Sequence, residues 1–187
     1  NVGGSWAQIG QDIDGEAVDD ESGRSVSLSA DGNIVAIGAD KNDGNGNLSG
    51  HVRIYNWDGI SWNQMGQDID GEVDWDRSGS SVSLSNDGNT VAIGAYGNDG
   101  QANTSGHVRI YDWNGTSWNQ VGQDIDGEAD SDFSGWSVSL SSNGQIVAIG
   151  APKNNGTSSI GLNDNLGHVR IYKNIGGIWT QLGQDID

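Results

Sequence analysis

Small polar and apolar side chains alternate along residues 24–30, where Ser25, Ser27 and Ser29 interleave with Val26 and Leu28. A period of two marks a strand with its two faces in different surroundings. The run stops at Asp31-Gly32, a hairpin pair whose two central residues are expected to take positive φ. Residues 33–39 follow with Ile34, Val35, Ala36 and Ile37 almost unbroken, as in a strand covered on both faces. Beyond a polar stretch at 40–50, His51-Val52-Arg53-Ile54-Tyr55 alternates again, and Asp58-Gly59 turns the chain into a segment around Trp62 to Asp70. Strands are therefore predicted near 24–30, 33–39, 51–57 and 61–68, with Val26, Leu28, Ile34, Val35, Ile37, Val52 and Ile54 as the buried set. No segment shows a 3.6-residue apolar period, so no helix is predicted.

The pattern repeats. QIGQDID at 8–14 returns at 64–70, 120–126 and 181–187 with one residue changed, and the tryptophans ahead of it, Trp6, Trp62, Trp118 and Trp179, are 56, 56 and 61 residues apart. The units are 15–70, 71–126 and 127–187, preceded by 1–14 as the outer strand of a preceding unit. Strands should recur 56 residues later, then shifted by 117 from the first repeat beyond the insertion in the third. A four-stranded antiparallel meander, too short to close a barrel alone, points to an all-β fold of stacked β-propeller blades. The serines are small enough to crowd near a propeller axis, and the bulky Trp and Tyr lie on the outer strands. An open β-solenoid is the alternative, but its coils repeat at shorter periods. Three sets of strands one to three stand beside four copies of strand four, fewer than the four to eight blades of a closed ring. The expectation is a segment of a longer repeat protein or, second, a half-ring that pairs with another copy through its strand edges.

Composition narrows the partners. The 187 residues are 33% apolar, with 31 Gly and one Pro, which suits short strands and tight turns. A formal charge of −18 disfavours nucleic acid and anionic membranes and favours cations. There is no cysteine, so disulfides and thiolate metal sites are excluded. No apolar run is long enough to span a membrane, and the opening NVGGSW is not a signal peptide, so a mature product, a cut piece or the ordered part of something longer is expected.

Phe133-Ser134-Gly135-Trp136-Ser137-Val138 followed by Gly150-Ala151-Pro152 resembles the FG-GAP repeat of integrin-like propellers, with Gly23 to Gly38 and Gly79 to Gly94 at the same separation. Glu21 and Arg77 replace the aromatic in the first two repeats, and Asp40 and Tyr96 replace the proline. The resemblance implies an extracellular or cell-surface propeller, often with calcium in the loop between the first two strands. Here that loop is the minimal Ser29–Asn33 hairpin, without a D-x-D-x-D-G run, so calcium is not carried over to it.

The acidic linkers are the sharpest polar feature: Asp12, Asp14, Glu16 and Asp20, then Asp68, Asp70, Glu72 and Asp76, then Asp124, Asp126, Glu128 and Asp132. Four carboxylates within nine residues repel one another unless something positive lies among them, and Ca²⁺ takes six to eight such oxygens. Alternatively they cap turn N–H groups or pair with Arg53, Arg109 and Arg170. Asn42-Asp43-Gly44, Asn98-Asp99-Gly100 and Asn154-Asn155-Gly156 read as turns. His51, His107 and His168 share one strand position and lack a recurrent nucleophile, so packing or a hydrogen bond is expected of them. A threefold repeated carboxylate pair does not suit a single glycosidase cleft, and no enzyme is expected. Trp57 and Trp113 either cover the core or stack on sugars. Asn47, Asn103, Asn114 and Asn155 begin N-glycosylation sequons. The expected role is an extracellular structural or adhesive scaffold whose partners are other copies or blades, or protein or glycan ligands; the competing class is a lectin-like propeller with one site per blade.

Overall fold

The computed structural model describes residues 4–155 and 165–187, which are all β with no helix. β1 (Ser25–Leu28), β2 (Ile34–Ala39), β3 (His51–Trp57) and β4 (Trp62–Gln64) form an antiparallel meander, and β5 (Ile69–Asp70) returns to the start of β3. β4 and β5 are one outer strand interrupted by a bulge. Tyr55 pairs with Gln64 and Val52 with Ile69, so Arg53 and Ile54 face the four residues 65–68.

The second blade repeats the first 56 residues on: β6 (Ser78–Leu84), β7 (Thr90–Ala95), β8 (His107–Trp113), β9 (Trp118–Gln120) and β10 (Ile125–Asp126). The third comprises β11 (Ser137–Leu140), β12 (Ile146–Ala151), β13 (His168–Ile175) and β14 (Ile178–Gln181), with a bridge from Val169 to Ile186 in the place of β5. His168 lies 117 residues beyond His51, as the repeat predicts. The hairpin chemistry differs from the expectation in one respect. Gly32 alone takes positive φ (73°), Gly32 N–H donates to Ser29 O, and the Asp31 carboxylate accepts from the Ser29 hydroxyl and Asn33 N–H. Asp31 thus acts through its side chain rather than through a left-handed backbone.

The blades stack face to face. Ala36, Val52, Ile54 and Ile69 of blade 1 meet Val82, Leu84, Val91, Ile93, Tyr111 and Trp118 of blade 2 in one core. Ala92, Val108, Ile110 and Ile125 then meet Val147, Ile149, Tyr172 and Trp179 in the next. Inner strands are joined by side-chain hydroxyls: Ser25 and Ser81 donate to Gly79 O and Gly135 O (2.7 Å each), and Ser27 and Ser83 accept from Leu84 N–H and Leu140 N–H (2.9 Å each). The alternating serines are therefore the polar seam between blades.

Of the buried set, Ile37, Val52 and Ile54 are buried and Ile34 and Val35 half-buried, but Val26 and Leu28 are 64% and 59% exposed. Their equivalents Val82 and Leu84 are 9% and 7% exposed, so the strand register is right and the difference lies in the absence of a sheet against that face. The far face of blade 3 mirrors this, since Val169 and Ile186, equivalent to buried Val108 and Ile125, are 37% and 56% exposed. Residues 6–14 cover only the outer part of the first face. Trp62 Nε1 donates to Ile9 O as Trp118 Nε1 donates to Met65 O and Trp179 Nε1 to Val121 O, so this segment stands to blade 1 as the outer strand of a preceding blade would.

Candidate functional site at the blade junctions

Four carboxylates recur in every linker, and the fold sends them in different directions. Asp20, Asp76 and Asp132 are buried and structural. Asp76 accepts from Glu72 N–H (2.8 Å), Val73 N–H (3.0 Å) and Asn98 Nδ2 (3.0 Å), and Asp20 and Asp132 do the same with Asn42 and Asn154. The Asn-Asp-Gly loops are turns, as expected: Asn42 Oδ1 accepts from Gly44 N–H and Asp43 Oδ1 from Leu48 N–H. Replacing Asp76 by Ala strands one buried and two part-buried donors and should destabilise the chain by roughly 1–3 kcal/mol, read from urea midpoints. Asp76→Asn, which keeps one acceptor oxygen, should lose less.

Asp12, Asp68 and Asp124 each accept from a glutamine four residues earlier (2.6–2.7 Å). The backbone carbonyls of Asp14, Asp70 and Asp126, rather than their carboxylates, accept from Arg53, Arg109 and Arg170 (2.6–2.7 Å). Each arginine lies over the ring of the tyrosine two residues on, at 5.5–5.7 Å. The guanidinium therefore clamps the incoming linker onto its blade. Burial pushes the Asp70 carboxyl up.

Glu16, Glu72 and Glu128 turn inward. One oxygen of each lies 3.5–3.7 Å from the arginine Nη1, and the other 3.8–4.0 Å from Nδ1 of His51, His107 or His168. Asp68, Asp124 and Asp185 approach the same nitrogen at 3.6–3.8 Å. The result is three equivalent clusters, Glu16-His51-Asp68, Glu72-His107-Asp124 and Glu128-His168-Asp185, whose facing atoms lie within 4.8 Å of one another. His107 is 1% exposed, and neither of its ring nitrogens has a hydrogen-bond partner. Burial, and then Arg109, hold its pKa below the usual imidazole value. Burial raises that of Glu72. Above the second cluster an open hollow of about 400 Å³ is lined by Glu72, Asn98, Asp99, Asp124 and Asp126.

Sequence reasoning placed the linker carboxylates in one group and expected packing or a hydrogen bond of the histidines. The structure divides the group, leaves Asp12 without a histidine, and brings in Asp185, which the sequence reading did not single out. A signal was present: each histidine precedes its aspartate by seventeen residues in all three repeats. Only the paired strands show that the bulge after β4 folds that aspartate back over the start of β3. Trp57 and Trp113, the sugar-stacking candidates, are half-buried and tilt against Trp62 and Trp118 at 5.4 and 5.3 Å. Asn47, Asn103 and Asn114 are exposed; Asn155 is half-buried, and the rest of its sequon lies outside the described residues.

No protein-family model matches the chain, and no curated protein matches it in sequence. Solved structures do share its fold. A Bacteroides uniformis protein provisionally named a 6-phosphogluconolactonase is 18% identical with a TM-score of 0.61, covering 92% of this chain and 42% of its own. Hydrazine synthase of Kuenenia stuttgartiensis is 13% identical (TM-score 0.52) and Saccharomyces cerevisiae Sqt1 is 14% identical (TM-score 0.54). They match 87% and 90% of this chain and 36% of their own lengths, so the chain spans well under half of each. These likenesses are of fold alone, and they agree with the propeller-like arrangement of its blades.

Proposed function

We propose that the chain is a structural or adhesive β-propeller segment of the FG-GAP kind, belonging to an extracellular or cell-surface protein and working within a larger ring or assembly of such blades. The observation that carries this reading is the complementarity of its two end faces. Blade 1 presents Val26 and Leu28, and blade 3 presents Val169 and Ile186, which are the two halves of the contact already made at both internal junctions. The occupant that fits either end is a further blade, from the same polypeptide or from a second copy joined head to tail. Exposed asparagines in three of the sequons support an extracellular setting, and the acidic rim supports a cation as cofactor. This reading is non-enzymatic, and the recurrence of the polar clusters in every blade supports it, since an active site is one asymmetric constellation.

Sedimentation velocity over a concentration series tests the reading. The weight-average mass should rise above the 19.6 kDa of one chain, and Leu28→Asp should return it to that value. A monomer at every concentration would remove the support drawn from the end faces. One observation favours the lectin-like alternative: Tyr96, Phe133 and Trp136 form a partly exposed aromatic cluster, with Phe133 and Trp136 stacked at 6.1 Å. Saccharide binding on a glycan array, lost in Trp136→Ala, would move the conclusion to that class.

A further inference from the structure

We propose that each of the three His-Glu-Asp clusters is a binding site for one divalent cation of the zinc class. The ligands would be Nδ1 of His51, His107 or His168, one oxygen of Glu16, Glu72 or Glu128, and one of Asp68, Asp124 or Asp185. The inference stands independently of whether the blades assemble.

Two separate observations meet here. The first is geometric. A zinc ion binds imidazole nitrogen and carboxylate oxygen at about 2.0–2.2 Å, which puts neighbouring ligand atoms of a tetrahedral site roughly 3.3–3.6 Å apart. The present separations from Nδ1, 3.6–4.0 Å, are too long for hydrogen bonds and within a few tenths of an ångström of that spacing. The second is the imidazole. His107 is fully buried and points Nδ1 at two carboxylates while bonding to neither, and Nε2 of both His107 and His168 is likewise without a partner. A buried polar atom left unbonded costs free energy, and a cation between Nδ1 and the carboxylates would remove that cost at Nδ1.

The donor set discriminates among ions. Calcium prefers six to eight oxygens, whereas one imidazole with two carboxylates suits borderline ions such as Zn²⁺. At the second cluster, Glu72 and Asp124 also line an open hollow, which would give an ion a path from solvent. Arg109, at 3.5 Å from the far oxygen of Glu72, holds that carboxylate with its other oxygen toward His107. The guanidinium also repels the cation, but two carboxylates outweigh one arginine in the local charge.

All three histidines of the chain lie in these clusters, so the ring nitrogens report on nothing else. The metal-free chain is titrated with ZnCl₂ and separately with CaCl₂, by calorimetry and by ¹⁵N NMR of the imidazoles. The expected result is three Zn²⁺ per chain, bound more tightly than Ca²⁺, with the Nδ1 resonance of all three histidines shifted. In the double variant Glu72→Gln, Asp124→Asn, which alters two partly exposed side chains, the stoichiometry should fall to two while the His107 resonance stays still. Zinc heat without movement of the Nδ1 resonances, unchanged stoichiometry in the double variant, or tighter binding of Ca²⁺ would each overturn the proposal. The NMR arm on the unsubstituted chain decides the matter even if the variant does not fold.

Discussion

Leu84→Ala should lower the unfolding free energy by about 2–5 kcal/mol, while Leu28→Ala, the same change at the equivalent position one repeat earlier, should cost under about 1 kcal/mol. Both leucines sit on the inner strand with the same neighbours within their own blade. They differ in what lies across the junction: Leu84 packs with Ile54 and Ile69 of blade 1 in a closed core, and Leu28 is 59% exposed. The difference between the two therefore isolates the contribution of one blade to the next. Urea unfolding of the two variants at low protein concentration measures it, with m-values compared to show that the transitions are alike. Equal losses at the two sites would mean that each blade stabilises itself, and the stacked description of the core would fail.

Gly94→Ala should be worse, about 3 kcal/mol or more, whereas Gly150→Ala should be close to neutral. The reason is again a neighbour. A Cβ on Gly94 would lie 2.0 Å from the carbonyl oxygen of Gly135, part of the next blade's backbone, and 2.4 Å from the Ser81 hydroxyl. Alanine can be accommodated there only by parting the inner strands, which also breaks the bond from Ser81 to Gly135 O. On Gly150, in the last blade, the nearest atom is the Ser137 hydroxyl at 2.4 Å and the next contact is at 3.8 Å. A serine side chain can rotate away. Thermal melts of the two variants distinguish these cases, and a large loss at Gly150 would point to strain within the blade instead.

Much of this was legible in the sequence. Period-two alternation and Gly-containing turns placed β2 and β3 within one residue of their observed bounds, and the recurring QDID blocks gave the blade period. The outer strand was less legible, because its bulge at 65–68 keeps the same polar composition as a regular edge strand. Burial at the ends was not legible at all. Val26 and Val82 occupy identical SVSL contexts, and only the presence or absence of a neighbouring sheet separates them. The candidate site was half legible for a related reason. The carboxylates were visible, but Asp76 and Glu72 differ in role because one faces the N–H groups of its own turn and the other faces a histidine 35 residues away.

The serine seam bears on how such a chain can change length in evolution. Every junction uses the same hydroxyl-to-backbone bonds and the same two apolar faces, so duplicating or deleting one 56-residue unit joins surfaces that already match. An array built this way can gain or lose units without inventing a new contact.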